Sequence, residues 1–169
     1  MTLTAILRDA FAAGFTQLTE GYDAGEIVGY GVCSDGDAHS LYLAAHTRTA
    51  RDEQIEEDPE GAVDYVWTLD EWDLPDEDAA AHDHVPTANQ AIADLDDSDI
   101  EAHRDLVWSA VVDAMALLVD EGFFARSPDA VRVVLVNDGG DESAQCDWNL
   151  RLNGEDRRPE LVEYFGLDD

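Results

Sequence analysis

The chain has no lysine: all nine of its basic residues are arginine, against 40 aspartates and glutamates. The formal net charge at pH 7 is −31 over 169 residues, and the isoelectric point is near 4.1. Because such a surface repels phosphate groups and anionic lipid headgroups, the composition argues against nucleic acids and membranes as partners. A basic protein is the partner class that this charge favours.

Long apolar runs and a cysteine framework are also missing. No segment approaches the roughly 18 apolar residues of a membrane helix, and the start of the chain lacks a secretory apolar core. Cys33 and Cys146 are far apart in the sequence, which predicts two reduced, partly buried thiols rather than a disulfide. We therefore expect a cytoplasmic protein. The sequence carries no signal for an oligomeric state.

What is present fits one folded domain over residues 1–169. The hydrophobic content is 45%, which is ordinary for a globular chain, and the acidic residues are spread along the sequence instead of forming one tail. Two explanations of the acidity remain open. Either it reflects a GC-rich genome or a saline cytoplasm that favours well-hydrated acidic surfaces, or the carboxylates mimic the phosphates of DNA.

The spacing of apolar residues predicts an α+β fold. Predicted helices lie at 3–18, from Leu69, at 86–95, from Ile100 to a stop at Gly122, and at 159–165. Predicted strands lie at 26–33, 40–46, 63–67 and 131–136, with an optional edge strand at 146–152. The first two strands form a hairpin, and the last full strand is typical of a sheet centre. The prediction is a mixed, mainly antiparallel sheet of four or five strands packed against helices.

Local patterns refine this prediction. Thr68–Glu71 and Ser98–Glu101 each place a glutamate three residues after a hydroxyl residue, as in the capping box that begins a helix. In the first strand, alternation puts four residues on one face: Ile27, Gly29, Gly31 and Cys33. The two glycines leave that face shallow, so we expect a helix to pack closely against it.

The segment Tyr65–Trp72, of sequence YVWTLDEW, carries a family resemblance. It resembles the Tyr-x-Trp-Ser-Pro-x-Glu-Trp segment of the bacterial family catalogued as domain of unknown function 4303. The early hairpin and three later segments, 117–124, 131–137 and 150–153, are similar to that family in the same order. This chain departs from the pattern at 45–46, where an Asn is typical, and at 68–69, where Ser and Pro are typical. The resemblance implies the fold and no activity. By fold-level analogy, some small α+β families act as immunity proteins against secreted toxins.

Motifs for catalysis and metal binding are weak. His82-Asp83-His84 would offer two imidazoles, but no CxxC, HExxH or second histidine pair accompanies them. The acidic run 94–99 lacks the glycine of a calcium loop, and 138–141 is glycine-rich without the lysine of a phosphate loop. Neither cysteine has an activating neighbour. We therefore expect no metal site, no cofactor and no catalytic residue, and we favour a protein that is not an enzyme.

An aromatic ring between two acids is the most suggestive binding pattern. Trp72 stands between Glu71 and Asp73, shortly after Tyr65 and just before an acidic loop broken by proline. We predict that Trp67 is a core residue. We also predict that Tyr65, Glu71, Trp72 and Asp73 form a partner-binding patch with an exposed tryptophan.

Three functions remain open from the sequence. The first is a non-catalytic protein-binding module for a basic protein, with an immunity-like role as one form of it. The second is an enzyme of unknown reaction that uses carboxylates or His46 near the end of the hairpin. The third is a DNA mimic, which needs carboxylates at phosphate-like spacing on one face.

Overall fold

A computed structural model describes residues 1–76 and 84–167 of the chain. Its helices are α1 (Leu3–Leu18), α2 (Arg48–Glu57), α3 (Ala62–Trp67), α4 (His84–Ala93), α5 (Ile100–Asp120), α6 (Glu142–Asn153) and α7 (Arg158–Tyr164). Its strands are β1 (Ile27–Ser34), β2 (Leu41–Thr47), β3 (Leu74–Pro75) and β4 (Val131–Val136). Of several short 3-10 helices, the one at Leu69–Glu71 is hereafter the 3-10 turn.

The four strands form one mixed sheet in the order β3-β2-β1-β4. β2 pairs antiparallel with β1 and with β3, whereas β4 runs parallel to β1. The predicted α+β class and the predicted hairpin are confirmed. A register shift between Ile27 and Gly29 moves Ile27 to the opposite face of the sheet from the two glycines, so its predicted place beside them is wrong.

The core lies on both faces of this sheet. The larger cluster is formed mainly by α1, α4 and α5 with one face of the strands. The smaller cluster lies on the other face, under α3, the 3-10 turn, α6 and α7, and is centred on Trp67, which is fully buried. The prediction that Trp67 is a core residue is therefore confirmed.

Two predicted strands are helical instead. Residues 63–67 belong to α3, because Val63, Val66 and Trp67 at helical spacing face the smaller cluster. Residues 146–152 belong to α6, where Cys146 and Leu150 lie one turn apart in the same cluster. In both segments the apolar residues satisfy a helical period as well as an alternating one, and packing selects the helix.

Strand β4 stands at the end of the sheet order rather than at its centre, and α6 covers its free edge. Val136 N donates to Gln145 Oε1 (2.8 Å), Val134 N donates to Asn149 Oδ1 (2.9 Å), and Arg132 N donates to Asn153 Oδ1 (2.8 Å). The Nδ2 groups of both asparagines donate back to the carbonyls of the same strand residues, at 2.9 and 2.6 Å. Gln145, Asn149 and Asn153 are hereafter the amide ladder.

Helix and strand geometry explain why the amide ladder fits. Four helical residues rise about 6 Å, and two strand residues advance about 6.6 Å. Side chains spaced four apart on α6 therefore meet alternate backbone groups of β4. Because α6 bonds five backbone groups of this edge, β4 can be apolar on both faces, as a central strand is.

Neither predicted capping box forms. The Thr68 side chain makes no cap bond, because its hydroxyl donates to the Tyr164 hydroxyl (3.2 Å) and only one 3-10 turn follows. At α5 the cap is Asp99 rather than Ser98: the Asp99 carboxylate accepts from Ala102 N at 3.2 Å. The predicted stop at Gly122 is confirmed by its left-handed φ of 75°.

Candidate functional site

The segment Thr68–Asp73 lies across β1 and β2 on the face of the smaller core cluster. Leu69 fills the space above Gly31 and Trp72 fills the space above Gly29: a Cβ at these glycines would stand 2.6 and 2.8 Å from the two side chains. The close packing predicted for the glycine face is present, but the 3-10 turn and Trp72 provide it instead of the predicted helix. Trp72 is only 4% exposed, so the predicted exposure of this ring is wrong.

Two acidic residues, Asp70 and Asp73, connect this segment to β2 through hydrogen bonds. The Tyr42 hydroxyl donates to Asp70 at 2.6 Å. Asp73 accepts from His46 Nδ1 (2.9 Å), from Thr47 N (2.8 Å) and from the Thr47 hydroxyl (2.7 Å). Burial alone would raise the pKa of the Asp73 carboxyl, but these hydrogen bonds hold it below its ordinary value. Asp73 thus stabilises the junction between β2 and the 3-10 turn.

His46 is enclosed in the same junction. It is 1% exposed, its ring stacks on Trp72 with a centroid distance of 5.6 Å, and its Nε2 is buried beside the Gln54 side chain. Burial lowers the pKa of His46, although the hydrogen bond to Asp73 acts in the opposite sense. The neutral imidazole therefore serves packing and hydrogen bonding, and it presents no nitrogen to solvent.

Tyr65 lies on α3 among exposed acids. Its hydroxyl donates to Asp58 at 3.1 Å, and the carboxylates of Glu71 and Asp64 act on it electrostatically. The hydrogen bond to Asp58 and these negative charges raise the pKa of Tyr65 above its ordinary value. Asp58, Asp64 and Glu71 are exposed, and Tyr65 is partly so. These four residues are hereafter the Tyr65 patch.

The surroundings of the Tyr65 patch are strongly negative. Residues 52–71 contain nine acids and no base. Helix α2 supplies four of these acids, all exposed, and buries none of its residues. Of the four residues predicted to bind a partner, the structure thus joins Tyr65 and Glu71 on one surface, whereas Trp72 and Asp73 belong to the junction beneath it.

A cleft of about 380 Å³ opens where the carboxyl ends of β4 and β1 meet the loop before α6. Its lining includes Asp138, Gly139, Glu142, Gln145, Tyr164 and Phe165. Asp138 and Gly139 have left-handed φ values of 58° and 116°, so the loop turns away from the sheet and leaves this space. The space is hereafter the β4–α6 cleft. In the sequence, the only signal for this cleft was the pair Gly139-Gly140 between a strand and the next helix. From that pair we concluded only that the loop is not a phosphate-binding loop.

The thiol of Cys33 lies behind this cleft, next to Tyr42 and Asn137. Burial raises the pKa of the Cys33 thiol to about 11, and burial also raises the pKa of Cys146. Both cysteines are free and buried. A protonated, enclosed thiol is a poor nucleophile, so the cleft has no activated cysteine at its wall.

Within residues 1–76 and 84–167, no group of three or more histidine, cysteine or acidic side chains is arranged to hold a metal ion. The candidate His82-Asp83-His84 falls largely outside those residues. In the same part of the chain, no helix combines the length and the apolar character needed to cross a membrane.

The family model described as domain of unknown function (DUF4303) matches residues 7–154. That span contains the segment Thr68–Asp73, the Tyr65 patch and most of the lining of the β4–α6 cleft. No curated protein and no solved structure matches the chain. The segment Tyr65–Trp72 had led us to expect the DUF4303 family. Because the match covers residues 7–154 of a 169-residue chain, the chain belongs to this family.

Proposed function

We propose that this protein is a non-catalytic binding module for a basic protein partner, and that the Tyr65 patch is the centre of its binding surface. The observation that carries the proposal is the environment of Tyr65: an accessible phenol ring with the carboxylates of Asp58, Asp64 and Glu71 around it. Aromatic rings beside carboxylates attract arginine and lysine through cation–π contacts and ion pairs.

The charge distribution supports the same partner class. The excess of acid around α2 and α3 would attract a basic protein over a distance of about one Debye length, near 8 Å at physiological salt. Attraction of this kind raises the association rate more than it slows dissociation, and salt weakens it. An immunity protein that captures a basic toxin is one form of this proposal.

The packing beneath the patch also supports a recognition role. Leu69 and Trp72 pack the segment Thr68–Asp73 against the glycine face of β1. Asp70 and Asp73 bond the same segment to β2. A surface anchored in this way loses little conformational freedom when a partner binds. The free, buried thiols support our placing the module in the reducing cytoplasm.

A peptide titration tests the proposal. Octa-arginine is the probe, and its binding is measured by isothermal calorimetry at two KCl concentrations. We expect Tyr65→Ala to weaken binding about two- to fivefold, the value of one exposed cation–π contact. Glu71→Gln should weaken binding to a similar degree and reduce its salt dependence.

Matched controls separate the Tyr65 patch from the general negative charge. Tyr22→Ala removes a tyrosine that is 45% exposed and is not part of the patch, and Glu101→Gln removes the same charge from α5, on the other side of the sheet. We expect both controls to bind octa-arginine nearly as the wild type does. Equal losses in the patch variants and in the controls would mean that only net charge attracts the peptide, and the proposed binding surface would be wrong.

A further inference from the structure

The wall of the β4–α6 cleft is bonded to the segment Thr68–Asp73, which adjoins the Tyr65 patch. Tyr164, in this wall, bonds to Thr68 and is acted on electrostatically by Asp64 and Asp70. Asp64 is also a member of the Tyr65 patch. A partner that covers the patch and extends past Tyr164 would therefore bring a residue to the cleft.

The side-chain amide of Gln145 presents a hydrogen-bond donor to the β4–α6 cleft. The Gln145 side chain is only 4% exposed, and its Oε1 accepts from Val136 N at 2.8 Å. The Nε2 group lines the cleft beside Gly140, where it is open to solvent and donates to no described residue. Because an occupant of the cleft would displace the water at this donor, a carbonyl oxygen is favoured to replace the lost hydrogen bond.

The remaining lining selects the charge of the occupant. Asp138 and Glu142 bring two carboxylates to the cleft, and Tyr164 and Phe165 bring two aromatic rings. Asp141 caps α6 through Ala144 N at 3.0 Å and adds a third negative charge at the helix start. An anion such as phosphate is therefore repelled, although the loop contains two glycines. A planar cation is favoured, because it can pair with carboxylates and stack on rings.

We propose that the β4–α6 cleft receives one arginine residue of the basic partner. Its guanidinium would pair with Asp138 and Glu142 beside the rings of Tyr164 and Phe165, and its main-chain carbonyl would accept from Gln145 Nε2. A volume of about 380 Å³ is sufficient for one long side chain. This inference rests on the proposed function, since it names the residue that the acidic surface selects.

The test compares two small probes that differ in charge. N-acetyl-arginine N-methylamide is titrated into the labelled protein and followed by NMR, and N-acetyl-citrulline N-methylamide is the neutral analogue of nearly the same shape. We expect the arginine probe to shift the Gln145 side-chain amide and the Gly139 and Gly140 backbone amides. The citrulline probe should bind about tenfold more weakly, because the charge-assisted bonds are lost.

Two conservative variants locate the binding. Glu142→Gln removes one carboxylate, and Asp138→Asn removes the other with a residue that also tolerates the left-handed backbone. Each should weaken the arginine probe about threefold to tenfold, while Glu101→Gln leaves it unchanged. An otherwise unchanged spectrum in each variant verifies the fold.

The outcomes separate this inference from the proposed function. If both probes shift the cleft amides equally, or if neither shifts them, the arginine site is wrong, and the binding of octa-arginine to the Tyr65 patch can still hold. If the arginine probe behaves as expected but Tyr65→Ala leaves octa-arginine binding unchanged, the cleft binds arginine and the patch is not the binding surface.

Discussion

Replacing Asn149 by alanine tests whether the amide ladder stabilises the edge of β4. Asn149 is fully buried, and its side chain accepts from Val134 N (2.9 Å) and donates to Val134 O (2.9 Å) and Gln145 O (2.8 Å). Alanine leaves the N–H and the C=O of Val134 without partners at a place that excludes water.

The expected loss follows from these two orphaned groups. A buried backbone group without a partner costs about 1–3 kcal/mol, and the better helix propensity of alanine returns about 0.5 kcal/mol. For two such groups we therefore expect Asn149→Ala to lower the free energy of unfolding by about 2–5 kcal/mol. Since small domains are stable by about 5–15 kcal/mol, the variant should still fold.

Urea denaturation followed by tryptophan fluorescence measures the loss. Urea is the proper denaturant, because guanidinium ions would screen the −31 charge and change stability by themselves. Asn153→Ala is the matched control: it removes the same two bonds, here to Arg132, at a partly exposed position. Water can replace those bonds, so the control should lose only about 1 kcal/mol. If Asn149→Ala costs no more than Asn153→Ala, the argument from buried orphaned groups is refuted.

The remaining predictions address the buried tryptophans, the histidine, the thiols and the net charge. Trp72→Ala should lose about 3–5 kcal/mol in urea, as much as Trp67→Ala, because both rings are core; a loss below 1 kcal/mol would contradict the burial. Stability should fall as the pH drops below about 6.5, because unfolded His46 takes up a proton that the folded state resists. His46→Gln, measured in parallel at pH 5.5 and 7.5, should lose that part of the dependence. Thiol titration of the native protein should find Cys33 and Cys146 unreactive, and denaturation without reductant should release both; no free thiol after denaturation would contradict the free cysteines. The melting temperature should rise between low and molar KCl as ions screen repulsion among the acids, and an unchanged value would show that the charges are already compensated.

Local periodicity was sufficient to predict the long elements. Helices α1 and α5 carry apolar residues at helical spacing over four turns or more, and the hairpin has two apolar strands around a turn. Gly29 and Gly31 correctly predicted a shallow face. These features depend on residues that are close in sequence, so one sequence contains the information.

The errors come from contacts between distant segments. The acids on either side of Trp72 suggested an exposed ring, but its pocket is formed by Gly29, more than 40 residues earlier. The polar residues of 146–152 suggested an edge strand, because a side-chain amide that pairs with a backbone looks like a solvent-exposed residue in the sequence. The predicted strand at 63–67 was only five residues long, and in such short runs alternation and helical spacing coincide.

The acids near α3 divide into two groups, and the solvent-facing group should make stability and partner binding respond to salt in opposite ways. Asp70 and Asp73 are engaged in hydrogen bonds inside the molecule, whereas Asp58, Asp64 and Glu71 face solvent around Tyr65. Repulsion among the second group destabilises the free protein, and a basic partner would relieve that repulsion. Added salt should therefore stabilise the fold and weaken octa-arginine binding at the same time. Because Glu71→Gln removes one of the repelling charges, it should reduce both salt effects, while Tyr65→Ala should weaken binding and leave the salt dependence of stability unchanged.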